Sequence, residues 1–439
     1  MHAVRILPGC SGSFTARSVL IREYRQRTIS SFSVGQLVRQ FRQNATPKDA
    51  AAVVVGAGPA GIAVVGNLLE QIKDDGKIVW VDEQFQGGRI NKFYREVPGN
   101  TAVKLFVDYA EALKPFQHIL NTAHKPNAIT ALEKLPQSGT CSLSYAGDML
   151  NLLTAGLRQH PRIQTVEGKA TSAHLDPQSK HWTLTTTSES SLTTSPLVVY
   201  CTGAFPSTTP LPPSSPPTIP LDTALTPSIL STTIPRDQPF TIGVIGGSHS
   251  AILVLMNLYK LTTTSHPLLK IKWFTRHPTL RYAVQKDGYI QYDNTGLKGK
   301  AAEFGRTQLD GDVLLTSDAG KFITRIDCSG GKEKEWALLE RELKDCQGVV
   351  QAVGYTPAPI PEVRIGDGKE VVKLRKDART GAFYAEDGEK KSIGLFGAGI
   401  AFPEEVDTPE GEREYAVGMW KFMKFLKRVV PEWVEGSRA

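Results

Sequence analysis

Short apolar runs alternate with stretches of helical spacing along most of this chain, and the alternation starts after Pro47. Residues 51–55 are an unbroken apolar run ending at Gly56, which predicts a parallel strand buried on both faces. Residues 62–72 place apolar side chains at helical spacing, and residues 77–81 (KIVWV) predict a second strand closed by Asp82. Strand, helix and strand in that order make one βαβ unit. A second unit starts at Phe240, where FTIGVIGGSHSA runs from a strand into a glycine and serine turn, followed by a helix over residues 252–261 and a strand over residues 271–274. Between the two, residues 127–196 mix polar and apolar positions, with residues 182–187 alternating like a half-exposed strand, and residues 196–202 form another apolar strand. The second unit closes at residues 348–353. A last strand over residues 393–396 precedes the turn Gly397-Ala398-Gly399, and a helix over residues 410–430, stopped by Pro431, follows.

This order predicts an α/β chain in which one domain is interrupted by another. Residues 50–205 carry the first part of the first domain with an insertion, and residues 240–350 are the inserted second domain. Residues 351–439 return to the first domain and add the C-terminal helix. Residues 206–239 carry ten prolines among many Ser and Thr, the composition of an extended linker or surface wrap.

Charge separates one more segment. The formal net charge is +7, yet residues 1–46 hold seven arginines against the single acid Glu23, so the rest of the chain is close to neutral. That argues against a nucleic-acid partner, which needs a basic surface on the folded domains. It also marks residues 1–49 as an N-terminal extension. Arg-rich, Ser-containing and acid-poor, the extension has the composition of a mitochondrial transit peptide; a tail on a cytoplasmic protein is the other reading. The five cysteines stand far apart with no C-x-x-C pair, which fits reduced intracellular thiols. No run of about 18 apolar residues is present, so no transmembrane span is expected.

The chemistry is written in the turns. In VVVGAGPAG, Gly56 permits a tight turn, Gly58 lets the backbone approach a pyrophosphate, and Gly61 lets helix pack on strand, with Pro59 and Ala60 opening the helix whose N-terminus faces the negative charge. Asp82 follows Gly61 by 21 residues at the end of the next strand, where it, or its neighbour Glu83, can accept hydrogen bonds from ribose hydroxyls. The second turn, Gly246-Gly247-Ser248-His249-Ser250-Ala251, is a variant in which Ser248 and Ala251 replace the later glycines. His249 lies in the nucleotide turn and reads as a phosphate neighbour or spacer before a catalytic group. Thirty residues after Gly246, where a carboxylate would mark NAD, the sequence offers Arg276 and then Arg281. A guanidinium there suits the 2′-phosphate of NADP; a solvated surface arginine is the plain alternative.

Together these residues resemble the FAD-dependent pyridine nucleotide oxidoreductase superfamily of two-dinucleotide-binding flavoproteins, in particular its flavin-containing and N-hydroxylating monooxygenase branch. The resemblance extends to Gln86-Gly87-Gly88-Arg89, to Cys201-Thr202-Gly203 and to Ala352-Val353-Gly354-Tyr355. It implies two Rossmann-like domains, with FAD at the first turn and on Gly88, Arg89, Thr202, Gly203, Gly399 and Ile400, and NADPH at the second. The superfamily's disulfide reductases pass electrons through a cysteine pair, which this chain lacks. Gly399 is followed by Ile400 where those relatives have Asp. Pro98-Gly99-Asn100-Thr101 is similar to the Asn-containing segment beside the flavin in the monooxygenases, which makes Asn100 the catalytic candidate, against a turn asparagine. The expected activity is NADPH-dependent oxygenation of a small organic substrate. A reductase of a quinone or similar acceptor, and a flavin-bound protein without turnover, are the alternatives. The C-terminal helix places Met419, Met423, Leu426 and Val430 on one face and Lys421, Lys424 and Arg428 on another, as in a helix docked on the core or a peripheral membrane or dimer contact.

Overall fold

A computed structural model describes residues 48–188, 193–277, 279–367, 370–386 and 392–437. The arginine-rich segment read as a transit peptide lies outside the described residues, apart from Lys48 and Asp49, which already pair in parallel with Thr193 and Thr194. The first domain is laid down by β1 (Ala52–Val55), α1 (Pro59–Gln71), β2 (Ile78–Asp82), α2 (Gly88–Phe93), α3 (Leu143–Arg158) and β3 (Ile163–Glu167). It continues with β4 (Ala170–Asp176), β5 (His181–Thr186) and β6 (Val198–Tyr200). The second domain contributes β7 (Phe240–Ile245), α4 (His249–Thr264), β8 (Leu269–Thr275), β9 (Ile323–Asp327), α5 (Lys332–Leu343) and β10 (Gly348–Gln351). The chain then returns through β11 (Glu362–Ile365) and β12 (Leu395–Gly397) to α6 (Met419–Gly436).

Two parallel sheets carry the molecule, in the orders β12-β6-β1-β2-β3 and β9-β8-β7-β10. The alternation along β1 explains the layering of the first. Ala52 and Val54 point into a core shared with α1, α3 and α6, whereas Val53 and Val55 point into a second core. That second core is closed by a mixed sheet containing β5, β4 and β11, in which β4 pairs antiparallel with β5 and parallel with β11, and whose Trp182, Leu184 and Val363 pack against the first. Both faces of the strand are therefore dry, as its unbroken apolar run requires. The second domain repeats the arrangement: Ile242 and Val244 face α4, while Ile245, Phe274 and Val349 face Leu339 and Leu343 of α5.

Three elements differ from the expectation. The proline-rich segment contains two short helices, Leu221–Ala224 and Pro227–Thr233, because Leu221, Ala224, Leu225, Leu230 and Ile234 find a place in the core of the second domain. Pro227 sits at the start of its helix, where a missing N–H costs nothing. The C-terminal helix starts at Met419, after Gly418 at φ 148°, and residues 413–416 form a strand against Glu404–Asp407. It also runs through Pro431, since Val430, Trp433 and Val434 continue the buried stripe.

That stripe packs on α1, where Asn67 Nδ2 lies 3.6 Å from Met423 Sδ. The apolar face is thus covered by the chain's own core, as in the docked reading of this helix. Trp433 is the anchor: it stacks on Phe396 with ring centres 4.6 Å apart and donates from Nε1 to Thr380 O at 2.8 Å. Trp433→Ala is expected to cost roughly 3–5 kcal/mol, read as a lower urea midpoint with the native fluorescence of the remaining tryptophans retained before the transition.

Candidate functional site

The first glycine turn is fixed by its neighbours. Gly56 has φ 107°, and a β-carbon there would lie 2.3 Å from the carbonyl oxygen of Cys201, the residue after β6. One on Gly61 would lie 1.9 Å from Gly56 O. Gly58 differs, for its β-carbon would meet only Gly88 Cα, at 3.9 Å, so what Gly58 leaves free is space for something from outside the chain. The Gly56 carbonyl accepts from Trp80 Nε1 at 3.0 Å, and Gly56 N donates to Val81 O at 2.7 Å.

The second turn repeats these contacts on different residues. Gly246 has φ 134°, its β-carbon would lie 2.3 Å from Ala352 O, its carbonyl accepts from Trp273 Nε1 at 2.7 Å, and its N–H donates to Phe274 O at 3.0 Å. Cys201 and Ala352 also match, donating to Val55 O at 2.7 Å and Ile245 O at 2.8 Å. Ala251, fully buried, takes the place of Gly61. One backbone device has thus been built twice.

Each turn opens on a cavity. The first, about 430 Å³, is walled by residues 56–60, by Gly88 and Arg89, by Thr202 and Gly203, and by Gly399 and Ile400. Thr202 Oγ1 is buried there with no protein partner, and Gly88, at φ 68°, approaches Gly58. Turn amides, a helix N-terminus, an open glycine face and an unsatisfied hydroxyl form the donor set a pyrophosphate needs. The residues present therefore fit FAD. Asp82 serves the protein first: its Oδ2 accepts from Ala57 N at 2.7 Å, and its Oδ1 from Gln84 N at 2.8 Å and Phe85 N at 2.7 Å. The exposed Glu83, which also lines the cavity, is left with the free carboxylate.

The second cavity, about 760 Å³, takes Gly246, Gly247 and Ser248 from its turn, with Arg276 and Arg281 opposite. Arg276 Nε is held by Glu335 Oε1 and Oε2 at 2.9 and 3.0 Å, and Arg281 lies 4.8 Å over the Tyr292 ring. His249, Ser250 and Ala251 do not line it. Burial, aided by the charge of Lys298, pushes His249 down to about 4, so it is a neutral spacer at neutral pH.

Asn100 is not brought in. It is exposed, on a strand (Pro98–Ala102) that lies against the Gly299–Phe304 helix of the second domain, and it lines neither cavity. The Pro-Gly-Asn segment lies at the seam between the domains. Sequence reasoning missed Asp222, which pairs with Arg89 and accepts from Tyr94 Oη at 3.0 Å; Tyr94 Oη lies 3.3 Å from Tyr355 Oη. Burial raises the Tyr94 phenol far above its usual range. One signal could have found the pair: Asp222 is the single charged residue among residues 206–235. Among the described residues no group of His, Cys, Asp and Glu is arranged to hold a metal ion.

Two dinucleotide turns on two parallel sheets, one in a split domain and one in the domain inserted into it, define a two-dinucleotide-binding flavoprotein. Residues 53–205 match a family model described as FAD-NAD(P)-binding. The chain is 48% identical over 394 residues to Monooxygenase AgnR1 of Paecilomyces divaricatus, covering 88% of this chain and 99% of that one. It belongs to this family of flavoprotein monooxygenases. Solved structures share the fold at low identity. The ornithine N-hydroxylase KtzI of Kutzneria sp. 744 is 11% identical, with 89% of this chain and 100% of that one covered and a TM-score of 0.57. A cyclohexanone monooxygenase variant of Rhodococcus sp. Phi1 is 13% identical, with 89% and 86% covered and a TM-score of 0.54. OTEMO with FAD bound is 12% identical, with 89% and 99% covered and a TM-score of 0.52.

His249 gives the site a pH signature. The unfolded imidazole takes its proton near 6.5 and the folded one near 4, so between those values the unfolded state binds more protons. Stability is full above 6.5 and falls as the pH drops toward 4. His249→Asn is expected to remove roughly 1–2 kcal/mol of that acid loss after solvent screening, measured as a smaller drop in urea midpoint across the window.

Proposed function

We propose that the protein is an NADPH-dependent flavin monooxygenase that places one atom of molecular oxygen in a small organic substrate and releases the other as water. The balance is substrate, O₂, NADPH and a proton giving oxygenated substrate, NADP⁺ and water. The observation that carries this reading is the shared wall: residues 352–354 line the second cavity and the next residue, Tyr355, lines the first. The two cavities therefore adjoin at residues 354–355, where a nicotinamide in one and a flavin in the other would approach each other.

FAD, when bound, supplies the two-electron chemistry that links the nicotinamide to oxygen. The chain's own residues do the rest. Residues 56–61 and the N-terminus of α1 hold the pyrophosphate, and Glu83 accepts from the ribose. Arg276, turned by Glu335 through Nε, keeps its two terminal nitrogens for the 2′-phosphate, with Arg281 adding a second positive charge to the same cavity. Phe205 and Val417 add exposed apolar surface to the wall of the flavin cavity, which suits an organic substrate. Cys201 lines this cavity as a buried neutral thiol, its pKa raised by burial, and so does not supply the thiolate a dithiol reductase uses.

Turnover under labelled oxygen tests the proposal. One labelled atom in the product and one NADPH consumed per product are expected, whereas NADPH oxidation by a quinone without oxygen uptake would overturn it. Arg276→Ala is expected to weaken NADPH by about 10- to 100-fold while leaving NADH within about threefold; equal losses for both would remove the 2′-phosphate role.

A further inference from the structure

Arg89 stands at the start of α2, immediately after the Gly87-Gly88 turn, and its guanidinium is on the wall of the flavin cavity. It is partly enclosed by aromatic rings. It lies 4.6 Å from the Phe93 ring centre and 5.3 Å from that of Phe205, and its side chain is 22% exposed. A guanidinium does not shed its proton in a protein, so Arg89 brings a permanent positive charge. That charge is met by Asp222, equally enclosed at 22% exposure, which arrives from the proline-rich segment and does not itself line the cavity. Tyr94 braces the pair: its hydroxyl accepts from Arg89 Nη2 at 3.2 Å and donates to Asp222 Oδ1 at 3.0 Å.

The segment that presents Asp222 is fastened independently of it. Ala224 O accepts from Asn257 Nδ2 of α4 at 3.0 Å, Thr226 Oγ1 donates to Phe93 O at 3.2 Å, and Ser228 N donates to Glu96 Oε2 at 2.9 Å. The carboxylate is therefore not needed to hold the segment down. What it does, with Tyr94 helping to orient the guanidinium, is cancel a charge that would otherwise face the flavin.

We propose that Asp222 is a positioning residue that sets the charge of the flavin cavity, holding Arg89 as one half of a neutral pair beside the bound flavin. This rests on the flavin reading above. Reduction adds negative charge to the flavin, and an uncompensated cation on the cavity wall favours the reduced form. Asp222 thus keeps the reduced cofactor a strong donor to oxygen by denying it that stabilisation.

The test is the midpoint potential of FAD in the purified holoprotein, measured by dye equilibration for the wild type, D222N, R89Q and the double variant R89Q/D222N. D222N is expected to shift the potential upward, with the reduced-to-oxidised ratio at fixed dye potential raised about tenfold. The double variant is expected to return close to the wild type. FAD bound by D222N at an unmoved potential would overturn the proposal, as would an equal upward shift in the double variant. If D222N sheds FAD, retention by the double variant supports charge balance, and loss from both overturns it. A wild-type protein that carries no FAD refutes the flavin reading itself; FAD with an unmoved potential refutes only the role of Asp222.

Discussion

Both nucleotide sites depend on one close approach. At Gly56 and again at Gly246, the carbonyl oxygen of a residue just past the adjacent parallel strand occupies the volume a β-carbon would need. Any side chain there would drive the first strand away from its neighbour and open the turn. The tryptophan on the second strand of each sheet, Trp80 or Trp273, closes the same turn from the other side by donating to the glycine carbonyl. Turn, helix N-terminus and sheet are thereby locked into one rigid unit, with the following amides aimed at the cavity. A phosphate-binding site held this way is pre-formed and loses little order on binding.

The rest of the architecture brings the two units to a common wall. Because β1 is buried on both faces, the first sheet is clamped between helices on one side and a second sheet on the other. Its strand order leaves the glycine turn, Cys201 and residues 397–400 at the same edge. The inserted domain is joined to that edge by the proline-rich segment on one side and by residues 352–357 on the other, where Tyr355–Pro357 pairs with Ala204–Pro206. These two crossings place Phe205 and Tyr355 in the flavin cavity and Thr209 and Gly354 in the other.

What the sequence made legible is what depends on neighbours along the chain. Two strand–turn–helix motifs, the parallel strands beside them and the inserted-domain order all follow from local pattern, and the structure places them within a few residues of the expectation. What stayed hidden depends on partners far apart in sequence. Asp82 lines the flavin cavity where a ribose ligand belongs, and its oxygens also accept from the amides of Ala57, Gln84 and Phe85, a fact set by the three-dimensional turn. Asn100 has a suggestive local motif, but the seam with the second domain decides its place, outside both cavities. Asp222 has no motif at all; only the fold carries it 133 residues back to Arg89. The proline-rich segment looked like a linker because proline and serine dominate it, yet six apolar residues at spaced positions were enough to seat it in a core.

In the proposed monooxygenase the first turn holds the flavin and the second delivers its electrons. Gly246→Val separates the two, because the substitution closes the second turn by collision with Ala352 O and leaves the first untouched. Mixed anaerobically with NADPH, the wild-type holoprotein should lose its flavin absorbance within turnover time. The variant should carry FAD, respond to dithionite, and keep its flavin oxidised in the presence of NADPH. Bleaching of the variant by NADPH at the wild-type rate would show that the second turn does not deliver the electrons.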